Sequence, residues 1–96
     1  MTSKQRAYLR GMANELDPIV QIGKGSVTPE VVAAAEEAFN THELFKLAVL
    51  KNCTDDPNAI ADMIAERTHS EVVQVIGKKI VLYRADRENP KIVLPR

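Results

Sequence analysis

The spacing of apolar residues along the chain predicts three helices. In residues 3–16 the apolar side chains recur every three or four positions, which is the period of a helix with one buried face. The second helix, at 29–40, has the strongest start signal, because Thr28 can cap it and Pro29 suits its first position. A third helix is predicted to start at Asp55-Asp56-Pro57. The residues predicted to face the core are Tyr8, Leu9, Met12, Ala13 and Leu16 in the first helix, Val31, Val32, Ala35, Ala38 and Phe39 in the second, and Ile60, Met63 and Ile64 in the third.

Four runs of β-branched and other apolar residues predict strands. Residues 19–22 form a short run, and residues 44–50 are almost all apolar, as expected for a strand that is buried on both faces. Residues 72–76 and 80–83 flank Gly77-Lys78, and a glycine in first place suits a type II′ hairpin turn. The order α-β-α-β-α-β-β predicts an α/β domain with α+β-like two-layer packing, in which helices cover a mixed four-stranded sheet.

Length and composition narrow the class of protein. The 96 residues suffice for one domain, and no apolar run approaches the roughly 20 residues that span a bilayer. The single Cys53 excludes an internal disulfide and favours a reducing cytoplasm. His42, His69 and Cys53 show neither zinc-ligand spacing nor a nucleophile–base pairing. The sequence therefore predicts no enzyme, no metal, no cofactor, no small-molecule substrate and no membrane partner.

The charge is zero overall but unevenly distributed. Residues 1–30 carry four Lys or Arg against three Asp or Glu, residues 31–70 carry three against seven, and residues 71–96 carry six against three. If the two ends of the chain meet in the fold, they form a basic face that can attract a polyanion. The alternative is charge scattered over a solvated surface, and this tally alone favours neither.

The stretch Gly23-Lys24-Gly25-Ser26 lies between a predicted strand and the predicted helix at 29–40. Its glycines allow a positive φ and the close approach of another backbone, and Lys24 adds a cation in front of the helix N-terminus. The stretch is not a nucleotide P-loop, because Pro18 stands five positions before Gly23. Such a loop suits a phosphodiester, although many ordinary strand-to-helix turns also contain two glycines.

Further basic residues are candidates for contacts to the same polyanion. Lys46 interrupts an apolar strand, and a lysine in a strand usually lies at a strand end or a sheet edge. For Lys78-Lys79, the alternative is that lysines at a hairpin tip serve only solubility. Phe39 and Phe45 fit apolar stripes and are predicted to lie in the core, so the chain has no exposed aromatic surface on which bases could stack. We therefore expect it to recognise the backbone and shape of a nucleic acid more than the identity of its bases. The basic candidates are Arg6, Arg10, Lys46, Lys78, Lys79 and Arg84.

The tail beyond Tyr83 is polar except for one short run. Residues 85–91 are mostly polar or charged, and Ile92-Val93-Leu94 interrupts them. We expect this run to dock on the domain as a short edge piece.

Three separated blocks of sequence carry a resemblance to a known family. They are KQRAYLRGMANELDPIVQIGKGS, HELFKLAVL and VVQVIGKKIVLYR, followed by a closing LPR. The chain resembles the CRM domain (chloroplast RNA splicing and ribosome maturation), in particular its single-domain bacterial YhbY-like RNA-binding members. The resemblance implies a fold similar to the C-terminal domain of bacterial initiation factor 3. It also implies binding to structured RNA and association with precursors of the large ribosomal subunit.

The G-x-x-G loop of this family falls on Gly23, Lys24, Gly25 and Ser26, so the last glycine is replaced by serine. If position 26 requires a positive φ, serine is strained there by roughly 1 kcal/mol. If Gly25 makes the contact instead, little is lost and the serine hydroxyl can donate to a phosphate.

The combined prediction is a cytoplasmic RNA-binding protein with one domain, residues 1–96, that acts in assembly of the large ribosomal subunit. Its expected partner is ribosomal RNA or a large-subunit precursor, and a monomer is the expected state. The alternative is a protein-interaction module that uses the acidic middle helices or a sheet edge. The predicted RNA-binding residues are Gly23, Lys24, Gly25 and Ser26 in the loop, with Arg6, Arg10, Lys46, Lys78, Lys79 and Arg84 around it.

Overall fold

The computed structural model describes all of residues 1–96, and its elements follow the predicted order. The helices are α1 (Ser3–Ala13), α2 (Pro29–Phe39) and α3 (Pro57–Thr68), and the strands are β1 (Pro18–Ile22), β2 (Leu44–Val49), β3 (Glu71–Ile76) and β4 (Lys79–Tyr83). The predicted α/β class and the mixed four-stranded sheet are confirmed. No helix combines the length and the apolar character needed to cross a membrane.

Local capping signals set the starts of all three helices. The Thr2 hydroxyl accepts from the N–H of Gln5 at 3.1 Å, and the Thr2 N–H donates to the Gln5 side chain at 3.0 Å. Thr28 caps α2 by accepting from the N–H of Val31 at 3.1 Å, and Asp56 caps α3. Proline stands at the start of both α2 and α3, so the predicted starts are confirmed.

The strand β2 lies inside the sheet, whose order is β1-β2-β4-β3. It pairs with β1 in parallel and with β4 in antiparallel register, and β4 continues into an antiparallel pair with the edge strand β3. The two-residue turn between β3 and β4 begins with Gly77 at a φ of +56°, the sign that a type II′ turn requires. Lys78 has no positive φ, as expected for the second position of such a turn.

The two faces of the sheet have separate cores. Beneath α2 and α3, Phe39 and Phe45 meet edge to face with ring centroids 4.6 Å apart, and both lie in the core as predicted. The helix α1 adds a partial layer on the opposite face. The core beneath α1 consists of Leu9, Ala13, Leu44, Val73, Val81 and Tyr83.

The first helix differs from its prediction in length and in buried face. It ends at Ala13 rather than at residue 16, and a turn follows in which the N–H of Leu16 donates to the Ala13 carbonyl at 3.0 Å. Leu9 and Ala13 are buried as predicted, whereas Tyr8, Met12 and Leu16 are 45%, 41% and 37% exposed. The partial layer explains the difference, because a short helix lying alone on a sheet buries only one narrow stripe.

The third helix also buries a stripe different from the predicted one. Ile60 and Ile64 lie in the core as predicted, but Met63 is 42% exposed. Ala61 and Ala65 take inward positions instead. Small side chains at these positions let α3 pack closely on its neighbours, so the larger thioether remains outside.

A buried carboxylate holds the C-terminal tail against the domain. Glu43, directly before β2, is only 8% exposed, and its side chain accepts from the N–H groups of Asp86, Lys91 and Ile92, each at 2.8 Å. Ile92 and Leu94 pack against the core beneath α1. The tail therefore docks as expected, but it forms no strand, because its N–H groups are taken by a side chain rather than by a sheet edge.

We expect Glu43→Gln to destabilise the protein at neutral pH by about 1–3 kcal/mol, since the amide NH₂ group would face backbone donors that the carboxylate now satisfies. Burial raises the pKa of Glu43, but the three N–H donors outweigh it, so the pKa lies below its ordinary value of 4.5. The stabilisation is therefore complete above pH 4.5 and is lost as the pH falls through the lower, folded-state pKa.

Thermal melts of the parent and of Glu43→Gln across the acid range would test this expectation. The parent should lose stability on acidification more steeply than the variant. Glu37→Gln is the matched control, because Glu37 is exposed on α2. Equal melting temperatures of the parent and Glu43→Gln at neutral pH would contradict the tail-holding role.

Candidate nucleic-acid interface

Three loops meet at one end of the sheet. Because β1 and β2 are parallel, the loops that follow them lie side by side, and the N–H of Leu50 donates to the carbonyl of Ile22 at 2.8 Å. The N–H of Val49 donates to the carbonyl of Lys78 at 2.7 Å, which places the β3–β4 turn at the same end. Two strand spacings of about 4.8 Å put these three loops within about 10 Å of each other.

Each of these loops carries an exposed lysine. Lys24 follows β1, Lys51 follows β2 and Lys78 lies in the turn between β3 and β4. None of them is in an ion pair, because the one ion pair in the structure joins Arg84 to Glu36. We refer to this surface, formed by Lys24, Lys51 and Lys78, as the lysine end of the sheet.

The residue-based prediction missed Lys51. A signal for it was present, because Lys51 comes directly after the strand-forming run 44–50. Two parallel strands have their carboxyl ends at one edge of the sheet, so a cation after the second strand must lie near a cation after the first. The loops after β1 and β2 were each considered alone, so the proximity of Lys51 to Lys24 was not predicted.

The glycine loop is a tight turn whose left-handed residue is Ser26. The N–H of Ser26 donates to the carbonyl of Gly23 at 2.9 Å, and Ser26 has a φ of +58°. Neither Gly23 nor Gly25 has a positive φ, so the conformational freedom expected of these glycines is not what the turn uses. Ser26 therefore carries the backbone strain that was expected if position 26 requires a positive φ.

Gly25 is required for space rather than for its φ. A Cβ at this position would lie 2.8 Å from Cγ2 of Thr28, whose hydroxyl is already fixed by its bond to the N–H of Val31. A Cβ at Gly23 would meet the side-chain oxygen of Asn52 at 3.6 Å, which is an ordinary contact. The two glycines of the loop therefore have different roles, and only Gly25 excludes a side chain.

The tip of the loop offers hydrogen-bond donors. The backbone N–H groups of Lys24 and Gly25 donate to no acceptor within the protein. Both residues are exposed, and the ammonium group of Lys24 belongs to the same turn. Two free N–H groups beside a cation suit an anionic oxygen such as that of a phosphate.

The two arginines of α1 differ in availability. The Arg6 guanidinium donates to the carbonyls of Val72 and Val73, where Val73 is the extra residue of a β-bulge opposite β4. Arg10 lies one turn later on the same side of α1, is exposed and makes no ion pair. Arg6 therefore anchors α1 to β3, and Arg10 remains available for a ligand.

Arg84 lies at the other end of the sheet and is engaged within the fold. Its guanidinium donates to both oxygens of Glu36, at 3.0 and 3.1 Å, and to the carbonyl of Thr68 at 2.7 Å. It also lies over the Phe39 ring, 4.5 Å from the centroid. Arg84 thus joins α2, α3 and β4, away from the lysine end.

Lys46 and Lys79 lie on the face of the sheet that α1 covers in part. They line one cavity together with Asn14 at the end of α1. Lys46 is half-buried in the interior strand β2, so it stands at neither a strand end nor a sheet edge. Lys79 is exposed next to Lys78 and connects this cavity to the lysine end.

No group of three His, Cys, Asp or Glu side chains is arranged to hold a metal ion. The single Cys53 is a buried thiol in the core beneath α2 and α3.

Comparison with known proteins places these features in a family. The family model described as the CRS1 / YhbY (CRM) domain matches residues 1–84. The chain is 42% identical over 95 residues to the Bacillus subtilis protein named "Probable RNA-binding protein YqeI", and the match covers 99% of each chain. It is 38% identical over 96 residues to a Haemophilus influenzae protein named "RNA-binding protein", covering 100% of this chain and 96% of the relative.

A solved structure agrees in fold as well as in sequence. The solution structure of SAV1595 from Staphylococcus aureus is 44% identical to this chain, superposes with a TM-score of 0.84 and is covered to 99% on both sides. The tail beyond residue 84 lies outside the family match but inside the matches to these whole relatives.

We expect Gly25→Ala to destabilise the protein by about 1 kcal/mol, because the new methyl group displaces Thr28 and weakens the cap of α2. Gly23→Ala is the matched control, since its methyl group makes only an ordinary contact and its φ is not positive. Urea unfolding of the two variants would measure the difference. Equal midpoints would show that Thr28 can move without loss.

Ser26→Gly should stabilise the protein by up to about 1 kcal/mol, because glycine adopts a φ of +58° without the clash that a Cβ creates. The gain is partly offset by the greater freedom of glycine in the unfolded chain. The same urea titration measures it. A lower midpoint for Ser26→Gly than for the parent would mean that the freedom of glycine in the unfolded chain outweighs the strain that the substitution removes.

Proposed function

Because the chain belongs to the CRS1 / YhbY (CRM) domain family, we propose that it is an RNA-binding protein that acts without catalysis. One observation carries the proposal: Lys24, Lys51 and Lys78 meet at one end of the sheet and have no carboxylate partner within the protein. Phosphate groups supply the missing negative charge, and the counterions that they release provide much of the binding free energy.

The glycine loop is the proposed centre of the interface. The free N–H groups of Lys24 and Gly25 bind phosphate oxygens, and the Lys24 ammonium neutralises the charge. The hydroxyl of Ser26 makes no bond within the protein and can donate to the same phosphate or to its neighbour. Gly25 contributes through its missing side chain, which keeps the loop close to Thr28.

Flanking contacts come from cations that are open to solvent. Arg10 on α1 and the pair Lys46 and Lys79 lie on the face of the sheet next to the lysine end. We leave Arg6 and Arg84 out of the proposed contacts, because their guanidinium groups already bind acceptors of the fold. The proposed interface thus extends from the glycine loop across the β3–β4 turn to the uncovered part of the sheet.

The proposed target is structured ribosomal RNA in the cytoplasm, in a precursor of the large subunit. Phe39, Phe45 and Tyr83 are buried, so Tyr8 is the one exposed residue among the Phe and Tyr side chains. An interface without a row of exposed aromatic rings cannot stack several unpaired bases. It suits the backbone of folded RNA, which is recognised by shape and by its phosphates.

We expect Lys24→Ala and Lys51→Ala each to weaken RNA binding and to reduce the slope of log affinity against log salt by about one unit, because each removes one phosphate contact. Both residues are exposed, so the free energy of unfolding should change by no more than about 0.5 kcal/mol. Fluorescence anisotropy on ribosomal RNA fragments at several salt concentrations measures affinity and slope together.

Lys91→Ala is the matched control, because Lys91 is an exposed lysine of the tail near Glu43, at the opposite end of the sheet. It should leave the salt slope unchanged. If Lys24→Ala and Lys51→Ala fold normally and bind RNA with the parent's affinity and slope, the lysine end is not the interface. RNA binding by the parent that does not depend on salt would instead favour the protein-interaction alternative.

A further inference from the structure

A lysine stands inside the sheet without a partner. Lys46 is in the middle of β2, where every other residue is buried, yet it makes no ion pair. No buried side-chain nitrogen or oxygen in the protein lacks a hydrogen bond, so the ammonium group must reach open space. A cation among apolar neighbours is unfavourable unless an anion or water compensates it. The position therefore leaves an ammonium group free to bind an anionic ligand beside β2.

The open space is a cavity of about 140 Å³ between the end of α1 and the sheet. It exists because α1 ends at Ala13 and leaves the sheet beyond it uncovered. The polar residues that line it are Lys46 and Lys79, which carry ammonium groups, and Asn14 and Gln74, which carry side-chain amides. The rest of the lining is aliphatic, and no aromatic ring or carboxylate lines the cavity.

The β-bulge in β3 aims Gln74 into this cavity. Val72 packs on the side of α2 and α3, and strict alternation would turn Gln74 to that side as well. The extra residue Val73 shifts the register, so that Val73 packs beneath α1 and Gln74 lines the cavity on the same face. Arg6 holds the bulge through its bonds to the carbonyls of Val72 and Val73.

We propose that this cavity binds the ribose and phosphate of one RNA nucleotide and gives the protein a preference for RNA over DNA. Lys46 and Lys79 bind the phosphate, and the amides of Asn14 and Gln74 bind the 2′-hydroxyl. An amide carries both a donor and an acceptor, as the 2′-hydroxyl does, whereas deoxyribose has only hydrogens at its 2′ carbon. This inference rests on the proposed function and specifies which part of the RNA its interface recognises.

The chemistry of the lining favours the sugar over the base. Base recognition in single-stranded RNA generally uses stacking on an aromatic or guanidinium plane, and neither lines this cavity. Two ammonium groups match a phosphate, and two amides remain for the adjoining sugar. Since Lys79 follows Lys78 directly, a strand bound at the lysine end can continue into the cavity without a break.

The experiment compares three hairpins of one sequence: RNA, RNA with 2′-O-methyl groups, and DNA. The double variant Asn14→Ala, Gln74→Ala should lose affinity for the RNA hairpin by about tenfold and keep its affinity for the DNA hairpin, because only the RNA hairpin offers the hydroxyl. The 2′-O-methyl hairpin keeps the A-form shape of RNA but has lost the hydroxyl donor. It should therefore bind the parent about as weakly as it binds the double variant.

One further variant separates the sugar from the phosphate, and another serves as a control. Lys46→Met should weaken binding to RNA and to DNA alike and reduce the salt slope by about one unit, because both backbones carry the phosphate. Asn89→Ala is the control for the amides, since Asn89 is exposed in the tail near Glu43, away from the cavity and the lysine end, and it should change neither affinity.

The outcomes separate this inference from the function on which it rests. A parent that binds RNA and DNA hairpins equally, or a double variant that keeps the parent's ratio of the two affinities, would overturn the inference while leaving RNA binding intact. A parent that binds neither hairpin, or whose binding ignores Lys24→Ala and Lys51→Ala, would instead overturn the proposed function.

Discussion

The pairing of β2 on both of its edges is the interaction on which the rest of the structure depends. Its parallel partner β1 places the glycine loop beside the loop of Lys51, and its antiparallel partner β4 brings the turn of Lys78 to the same end. Just before its first residue, Glu43 holds the tail. Without the parallel pair, the loops after β1 and β2 would lie at opposite ends of the sheet, and their lysines could not act on one ligand.

The two faces of β2 also decide where polar chemistry can occur. A strand that is buried on both faces leaves no room for charge except where a covering helix stops short. The helices α2 and α3 fully cover one face, but α1 ends at Ala13, and Lys46 lies at the gap that this short helix leaves. The end of α1 at Ala13 therefore sets where the sheet is left uncovered. Asn14 at its C-terminal cap becomes part of the lining for the same reason.

Local signals explain why so much of the fold could be predicted from the sequence. The caps at Thr2 and Thr28 and the turn at Gly77 act within four residues, so their effects can be read along the chain. The glycine loop was predicted at the correct place in the chain. Its glycines, however, do not use the positive φ that the prediction allowed them, because Ser26 has it instead. The partners of Arg6 and Glu43, and the Glu36 partner of Arg84, lie 43 to 67 positions away, and nothing near these residues in sequence reveals them. The same long-range packing decided which face of α1 was buried, so Tyr8, Met12 and Leu16 were assigned to the wrong side.

Arg6 and Arg84 bind groups within the fold while the lysines stay at the surface, and this difference follows from the chemistry of their head groups. A guanidinium presents several donors in one plane and is weakly hydrated, so Arg6 can bind two carbonyls at a bulge and Arg84 can bind a carboxylate, a carbonyl and a ring at once. An ammonium is strongly hydrated and remains in water on a flexible stem, so the lysines stay at the surface without partners. In a chain of zero net charge, Arg84 pairs with Glu36 and Glu43 is satisfied by backbone donors, while the three lysines of the lysine end form no ion pair.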